Sequence, residues 1–260
     1  MKIVSGSSRV RFNSRLNHAA YALRHNYRYV FDSTPRPLAS VYDHKLLAIL
    51  DLPVDDDWWF WIDDDAFFTQ FSRPLEGIGL DLDAGLLIFP KSPVNPRGGW
   101  THLSSGNFFF RNCAEVHGFF EAALRHDLSE VQRAWDESRW GMFTNGDQDK
   151  LVWELSRDAS MASRTQLVPY EIFNTRPYHF RTAPTEHFLV HFAVIDQTKQ
   201  EALQHFQQKF GFETDALIPP EHAGVARLFR HFEVDTRQVP AGRGPKHWWR
   251  TLRGRPGNDG

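Results

Sequence analysis

Residues 58–70 read WWFWIDDDAFFTQ, an aromatic run that drives straight into Asp63, Asp64 and Asp65. Aromatic residues favour strands, and a short apolar run bounded upstream by Asp55, Asp56 and Asp57 predicts a strand covered on both faces and ending in carboxylates. Ionised carboxylates gathered at a strand end repel one another and cost several kcal/mol if buried without a partner. A positive charge is therefore expected beside them, and a divalent metal supplies it most economically. Alternation along the strand sends Asp63 and Asp65 the same way, with Asp64 opposite or on the following turn. A solvated acidic turn after a core strand satisfies the same letters, and the run alone does not choose between the two.

Upstream of this run the chain alternates strand and helix. Residues 2–5 predict a strand that opens into Gly6, Ser7 and Ser8. Residues 13–24 predict a helix with Leu16, Ala19, Ala20 and Leu23 on one face, and residues 27–31 a second strand. A turn through Pro35 and Pro37 leads into a helix over about 41–50. Strand, helix, strand, helix, strand implies an α/β domain with a mainly parallel, Rossmann-like central sheet flanked by helices. Ligands of such sheets bind outside the carboxyl ends of the strands, where Ser5 and the residues after it would meet Asp63, Asp64 and Asp65. No GxGxxG or Walker-type glycine loop occurs, so a dinucleotide or P-loop site has no support.

Downstream, a strand is predicted over 85–89, a loop rich in Pro and Gly over 91–100 and an aromatic strand, SGNFFFR, over 105–111. Helices are predicted over 114–125 and 129–138. Residues 144–155, TNGDQDKLVWEL, place a polar turn ahead of an amphipathic helix with Leu151, Val152 and Leu155 inward. Asp147 can simply cap that helix, while Gln148 and Asp149 in the same first turn can face a cleft. Residues 188–193 predict an apolar strand with His187 and His191 at its ends, and a helix follows over about 196–212. A lone histidine beside a strand is usually a packed or surface residue. In company with two carboxylates, however, neutral imidazole completes an acceptable ligand set for Mn²⁺.

Composition narrows the classes. The 260 residues suffice for one large α/β domain, and a net charge of −2 gives no global pull toward nucleic acid. Cys113 is the only cysteine, so no internal disulfide can form and a four-cysteine zinc site is excluded. No run of about 18 apolar residues occurs, and the N-terminus lacks the apolar core of a secretory signal. A cytoplasmic location is the expectation. Residues 237–260 are rich in Pro, Gly and Arg and carry Trp248 beside Trp249, so they are expected to form a tail separate from a single domain over 1–236. Basic residues flanking paired Trp can hold a chain at an anionic membrane surface, here the inner face, although a solvated tail fits equally.

The ordered series RPLASVYDHKLLAIL, WWFWIDDDAFF, SGNFFFRNC, GDQDKLVWEL and EHFLVHFA, spread over roughly 17–195, resembles the nucleotide-sugar glycosyltransferases of GT-A fold, in particular the galactosyl- and xylosyltransferases of family 34. The resemblance implies that Asp63 and Asp65 are the ends of an Asp-x-Asp motif that holds Mn²⁺ or Mg²⁺ on the donor diphosphate, with His191 as third metal ligand and Asp64 on the donor ribose. It places Gln148, with Asp147 beside it, near the anomeric carbon, Lys45 near the donor, and Gly106 and Asn107 where donor sugar and acceptor meet. Two positions depart from the family pattern: Ser104 stands where Asn is usual, and Val194 where Gly is usual. The family's downstream lysine near the phosphates has a counterpart only if Lys199 reaches.

The implied function is metal-dependent transfer of a hexose or pentose, from a donor that is UDP-linked, to a glycan or glycolipid, with retention of configuration. Among the tryptophans, Trp100, in a loop containing Gly98 and Gly99, is the candidate for acceptor contact. Trp140 and Trp153 are expected to pack in the core. Two other classes stay open: a metal-dependent phosphoester hydrolase, and a catalytically silent carbohydrate-binding protein.

Overall fold

The structure, a computed structural model, describes residues 1–38, 40–193 and 197–222. The 237–260 tail and its proposed membrane contact, the domain boundary at 236, and Val194 lie outside the described residues. Among the described residues eight strands run in chain order as β1 (Lys2–Gly6), β2 (Arg28–Asp32), β3 (Trp58–Ile62), β4 (Ala66–Phe68), β5 (Leu87–Pro90), β6 (Asn107–Arg111), β7 (Thr165–Val168) and β8 (Leu189–His191). The helices are α1 (Ser14–Arg24), α2 (Asp43–Leu50), α3 (Ala114–Leu124), α4 (Leu128–Arg133), α5 (Glu137–Trp140), α6 (Asp147–Arg157), α7 (Ala159–Ser163), α8 (Tyr170–Phe173) and α9 (Lys199–Phe210).

Six strands form the central sheet in the order β2-β1-β3-β6-β5-β7. The pairs β2–β1, β1–β3 and β5–β7 are parallel, whereas β6 runs antiparallel to both β3 and β5. The mainly parallel α/β architecture therefore holds, with one reversed strand at its centre. That reversal brings the start of β6 to the end of β3: Ile62 pairs with Asn107. The aromatic strand is buried on both faces, as its composition predicts. Trp59 and Trp61 pack into a core with Leu46, Phe108 and Leu151, while Phe60 and Ile62 pack into a second core with Tyr21, Phe109 and Phe173. Each such side chain contributes on the order of 2 kcal/mol by leaving water.

Three departures from the sequence expectations have local causes. The helix expected over 129–138 is divided into α4 and α5, because Asp136 leaves the helical region and its carboxylate accepts from the N–H groups of Ser138 and Arg139, starting a new helix. On α1 the expected apolar face holds at Leu16, Ala19 and Ala20 but not at Leu23, which is exposed, and Asn17 and His18 are buried beside it. Asn17 acts there as a backbone clamp: its Nδ2 donates to Phe68 O and Leu217 O (both 3.1 Å) and its Oδ1 accepts from Phe68 N (2.8 Å). Finally, β4 and β7 have no sequence counterpart among the expected strands. β4 pairs with β8 in a separate two-stranded sheet, with Ala66 opposite His191.

Candidate active site

The carboxyl ends of β1 and β3, the approach to β6, the first turn of α6 and the end of β8 converge on one open cleft of about 900 Å³. Immediately after β3 the chain turns. Asp63 N–H donates to Gly106 O (2.8 Å) and Ala66 N–H donates back to Asp63 O (3.1 Å), so the three aspartates sit on a tight turn between β3 and β4. Trp61, the last aromatic of the strand, fixes Asp63 by donating from Nε1 to its Oδ1 (2.7 Å). Register does the rest. Because Ala66 faces His191 across the β4–β8 pair, the imidazole arrives beside Asp65, with Nε2 3.3 Å from Oδ1.

Ligand atoms of Asp63, Asp65 and His191 lie within 4.8 Å of one another, the three-residue cluster expected from sequence. Two carboxylates and one imidazole are a donor set that suits Mn²⁺ or Mg²⁺, with positions left for phosphate and water. The titration behaviour fits a site that needs a cation. Burial pushes Asp63 up to about 7 despite Lys45 beside it, and burial, with the Asp65 charge adding, pushes Asp64 up to about 6. Burial also raises Asp65, but His191 and Lys199 outweigh it and hold that carboxyl well below the usual range. His191 is lowered to about 4 by burial, which keeps the ring neutral at neutral pH.

Gly106 makes this approach possible. A Cβ at that position would lie 2.2 Å from His191 Cε1. Gly106 lines the cleft, as expected, but Asn107 does not. Asn107 is fully buried and its Nδ2 donates to Asn174 Oδ1 (3.4 Å). Ser5, expected at the donor, is likewise inside the protein. Its hydroxyl lies 2.7 Å from Tyr29 OH and 3.2 Å from His18 Nδ1, and the cleft rim is formed instead by Gly6, Ser7 and Ser8. The reason is register: Ser5 pairs with Phe31 and its side chain faces Tyr29 and His18, while Gly6, still paired with Asp32, is the first residue of the strand to line the cleft.

Lys45 reaches the cleft wall with its ammonium largely committed to the protein. It donates to Ser105 O (2.6 Å) and sits 3.2 Å from Asp63 Oδ1 and 3.0 Å from Asp147 Oδ2. Burial lowers its pKa, but Asp147 and Asp63 outweigh burial and hold it above the ordinary lysine value. Asp147 Oδ2 makes no hydrogen bond, so its contact with Lys45 is a charge pairing. A second pair answers the first: Lys150 of α6 donates to Asp43 of α2 at 2.8 Å. The first residue of each helix is thus an aspartate paired with a lysine from the other. Helix α6 is capped not by Asp147 but by Asp149, whose carboxylate accepts from Gly146 N and Thr144 N (both 3.0 Å). Asp147 and Gln148 are thereby spared for the cleft, and Gln148 Oε1 accepts from Ser105 N–H (3.3 Å).

Lys199, at the start of α9, does reach: its ammonium bonds Asp65 Oδ2 and it lines the cleft. Two further residues, Asn174 and Arg176, have no counterpart among the sequence candidates. Arg176 lines the cleft, donates from Nη1 to Asn174 Oδ1 (2.8 Å), and is lowered to about 10 by burial. The letters FNTRPY at 173–178 offer no periodicity or motif that marks them. Trp100, 37% exposed, also lines the cleft, as do Tyr42 and Met142, both likewise exposed. The backbone is tied there by Met142 N–H donating to Trp100 O (2.8 Å). Trp140 and Trp153 pack in the core, as expected.

By sequence the chain matches no protein-family model and no curated protein. By structure it is similar to a glycosyltransferase involved in the glycosylation of the major capsid of PBCV-1, at a TM-score of 0.56 and 15% identity, covering 80% of this chain and 98% of that one. It is also similar to the glycosyltransferase GlyE of Streptococcus pneumoniae, at a TM-score of 0.50 and 10% identity, covering 91% of this chain and 66% of that one. The fold is that of the GT-A glycosyltransferases.

Proposed function

We propose that this chain is a glycosyltransferase that moves a hexose or pentose from a nucleotide-sugar donor, UDP-linked, to a glycan or glycolipid. The observation that carries the reading is the convergence in one cleft of a two-carboxylate, one-imidazole cluster with an uncharged amide, Gln148, and the cations Lys199 and Arg176. Breaking the bond between sugar and diphosphate develops negative charge on the phosphate and positive charge on the anomeric carbon. Asp63, Asp65 and His191 would hold Mn²⁺ or Mg²⁺, which when bound would supply Lewis-acid neutralisation of the first, typically several kcal/mol of the barrier.

The chain's own residues do the remaining work. Lys199 and Arg176 face the diphosphate, Asp64 accepts from the ribose hydroxyls, and Gln148 with Asp147 places partial negative charge near the anomeric carbon. An amide is too weak a nucleophile for a stable glycosyl-enzyme. With the retention that the family resemblance implies, the reading is front-face attack, in which the leaving phosphate takes the proton of the acceptor hydroxyl. Trp100, Tyr42 and Met142 form an apolar wall that fits the C–H face of an acceptor sugar. A cytoplasmic protein that touches the inner membrane face through residues 237–260 remains part of this proposal. No helix among the described residues is long and apolar enough to cross a membrane.

The test is release of nucleoside diphosphate from a panel of sugar nucleotides with Mn²⁺, wild type against Asp65→Ala. Release from at least one donor, lost in the variant, is expected. Turnover of simple phosphoesters with no donor hydrolysis would favour a hydrolase, and no turnover of either would leave a carbohydrate-binding protein.

A further inference from the structure

Asn174 Oδ1 is a hydrogen-bond hub behind the ligand cluster. It is reached by Arg176 Nη1 (2.8 Å), His191 Nδ1 (3.0 Å) and Asn107 Nδ2 (3.4 Å), and Ser104 Oγ stands 3.5 Å away. Asn174 is fully buried, and its own Nδ2 donates to Lys91 O (3.3 Å). The amide is therefore oriented with its oxygen toward His191. Arg176 Nη1 also lies 3.0 Å from His191 Nδ1. A neutral imidazole cannot accept from Arg176 and donate to Asn174 through the same nitrogen. Two arrangements of one proton follow. With the proton on Nε2, that nitrogen donates to Asp65 Oδ1, 3.3 Å away, and Nδ1 accepts from Arg176. With the proton on Nδ1, it donates to Asn174 Oδ1, and the Nε2 lone pair faces the two carboxylates.

We propose that Asn174 is the positioning residue that holds His191 in its metal-ligating tautomer, and that Arg176 supports the alternative one. The proposal deepens the metal-dependent reading above and rests on it. Only the arrangement with Nδ1–H on Asn174 leaves Nε2 able to coordinate a cation, and a ligating imidazole needs such an acceptor to fix its ring and tautomer. Arg176 keeps its bonds to Asn174 O (3.0 Å) and Oδ1 when His191 turns its proton toward Asn174. The neighbours have the same purpose: Gly106 leaves room for the ring on one side while Asn174 draws it from the other.

The test measures Mn²⁺ binding to the full chain, by the spin-resonance signal of unbound Mn²⁺, in wild type, Asn174→Ala, Asn174→Asp and Asp63→Ala. We expect Asn174→Ala to bind roughly 10–100-fold more weakly. Asn174→Asp, which keeps the acceptor, should stay within about threefold of wild type, well inside the range lost with the acceptor. Wild-type affinity in a folded Asn174→Ala protein would overturn the proposal and leave the metal site standing, whereas equal binding by wild type and Asp63→Ala would remove both. Should Asn174→Ala fail to fold, the ¹⁵N spectrum of His191 in the wild-type protein saturated with diamagnetic Cd²⁺ decides. A proton on Nδ1 is expected, and one on Nε2 would overturn the assignment.

Discussion

Gly106 and His191 touch so closely that the glycine has no room for a methyl group: the added carbon would lie 2.2 Å from Cε1 and 3.0 Å from Nδ1. Gly106→Ala must push the imidazole away from Asp65 or move the start of β6. We expect Mn²⁺ to bind this variant about 10–100-fold more weakly, the range for disturbing a ligand's support. Isothermal titration checks it, with circular dichroism confirming the fold. Unchanged affinity would mean that the ring does not take part.

The crossed pairs Lys45–Asp147, which lines the cleft, and Lys150–Asp43 are both buried and tie α2 to α6. Removing one partner strands a buried charge, so Lys150→Met should cost about 3–5 kcal/mol in urea unfolding. Adding Asp43→Asn should return a large part of that loss. Simple additivity of the two single changes would show that the pair is not coupled.

Trp100 lines the cleft and is the acceptor contact in the function proposed above. Trp100→Ala should raise KM for the acceptor roughly fivefold, for a stacking contact worth about 1 kcal/mol. Hydrolysis of the donor alone should stay as in wild type. A fall in donor hydrolysis with unchanged acceptor KM would place the indole elsewhere in the reaction.

His18 supplies a pH dependence independent of any metal. Burial lowers this histidine to about 4, only partly offset by its bond to Ala66 O. Its ordinary value is near 6.5, so between the two values the unfolded chain holds more protons than the folded one. The stabilisation is full above pH 6.5 and drains away as pH falls toward 4. From pH 7 to pH 5, wild type should lose about 2 kcal/mol more stability than His18→Gln. Parallel curves for the two proteins would contradict this.

What the sequence made legible was local and periodic. Residues 58–62 announce a buried strand by aromatic density, and β3 is covered on both faces. Asp63, Asp65 and His191 stand at the ends of plainly patterned strands, but only the family resemblance links the histidine to the two carboxylates, and the fold does bring the three together. Ser5 is expected in the cleft but packs against Tyr29 and His18, since which residue of a strand end faces a cleft depends on pairing register rather than on composition. Asn174 and Arg176 left no trace for a similar reason. Their position comes from an isolated pairing of Thr175 with Val190, a long-range contact that composition and periodicity do not encode. Asp149 displaced Asp147 as the cap of α6 because three nearby donors converge on it, a geometry the letters TNGDQD permit but do not require.

The reversed direction of β6 has a consequence for how this protein could diversify. β5 and β6 are neighbouring antiparallel strands, so residues 91–106 leave and return at the same edge of the sheet, carrying Trp100 between two fixed ends. Closing a loop of twice the length costs only about 0.6 kcal/mol more. Segments could therefore be inserted, shortened or grafted there while the strand register that carries the carboxylates stays put. On the proposed function, acceptor preference and bond-breaking chemistry would be separately heritable, and a chimera exchanging residues 91–103 would test that separation.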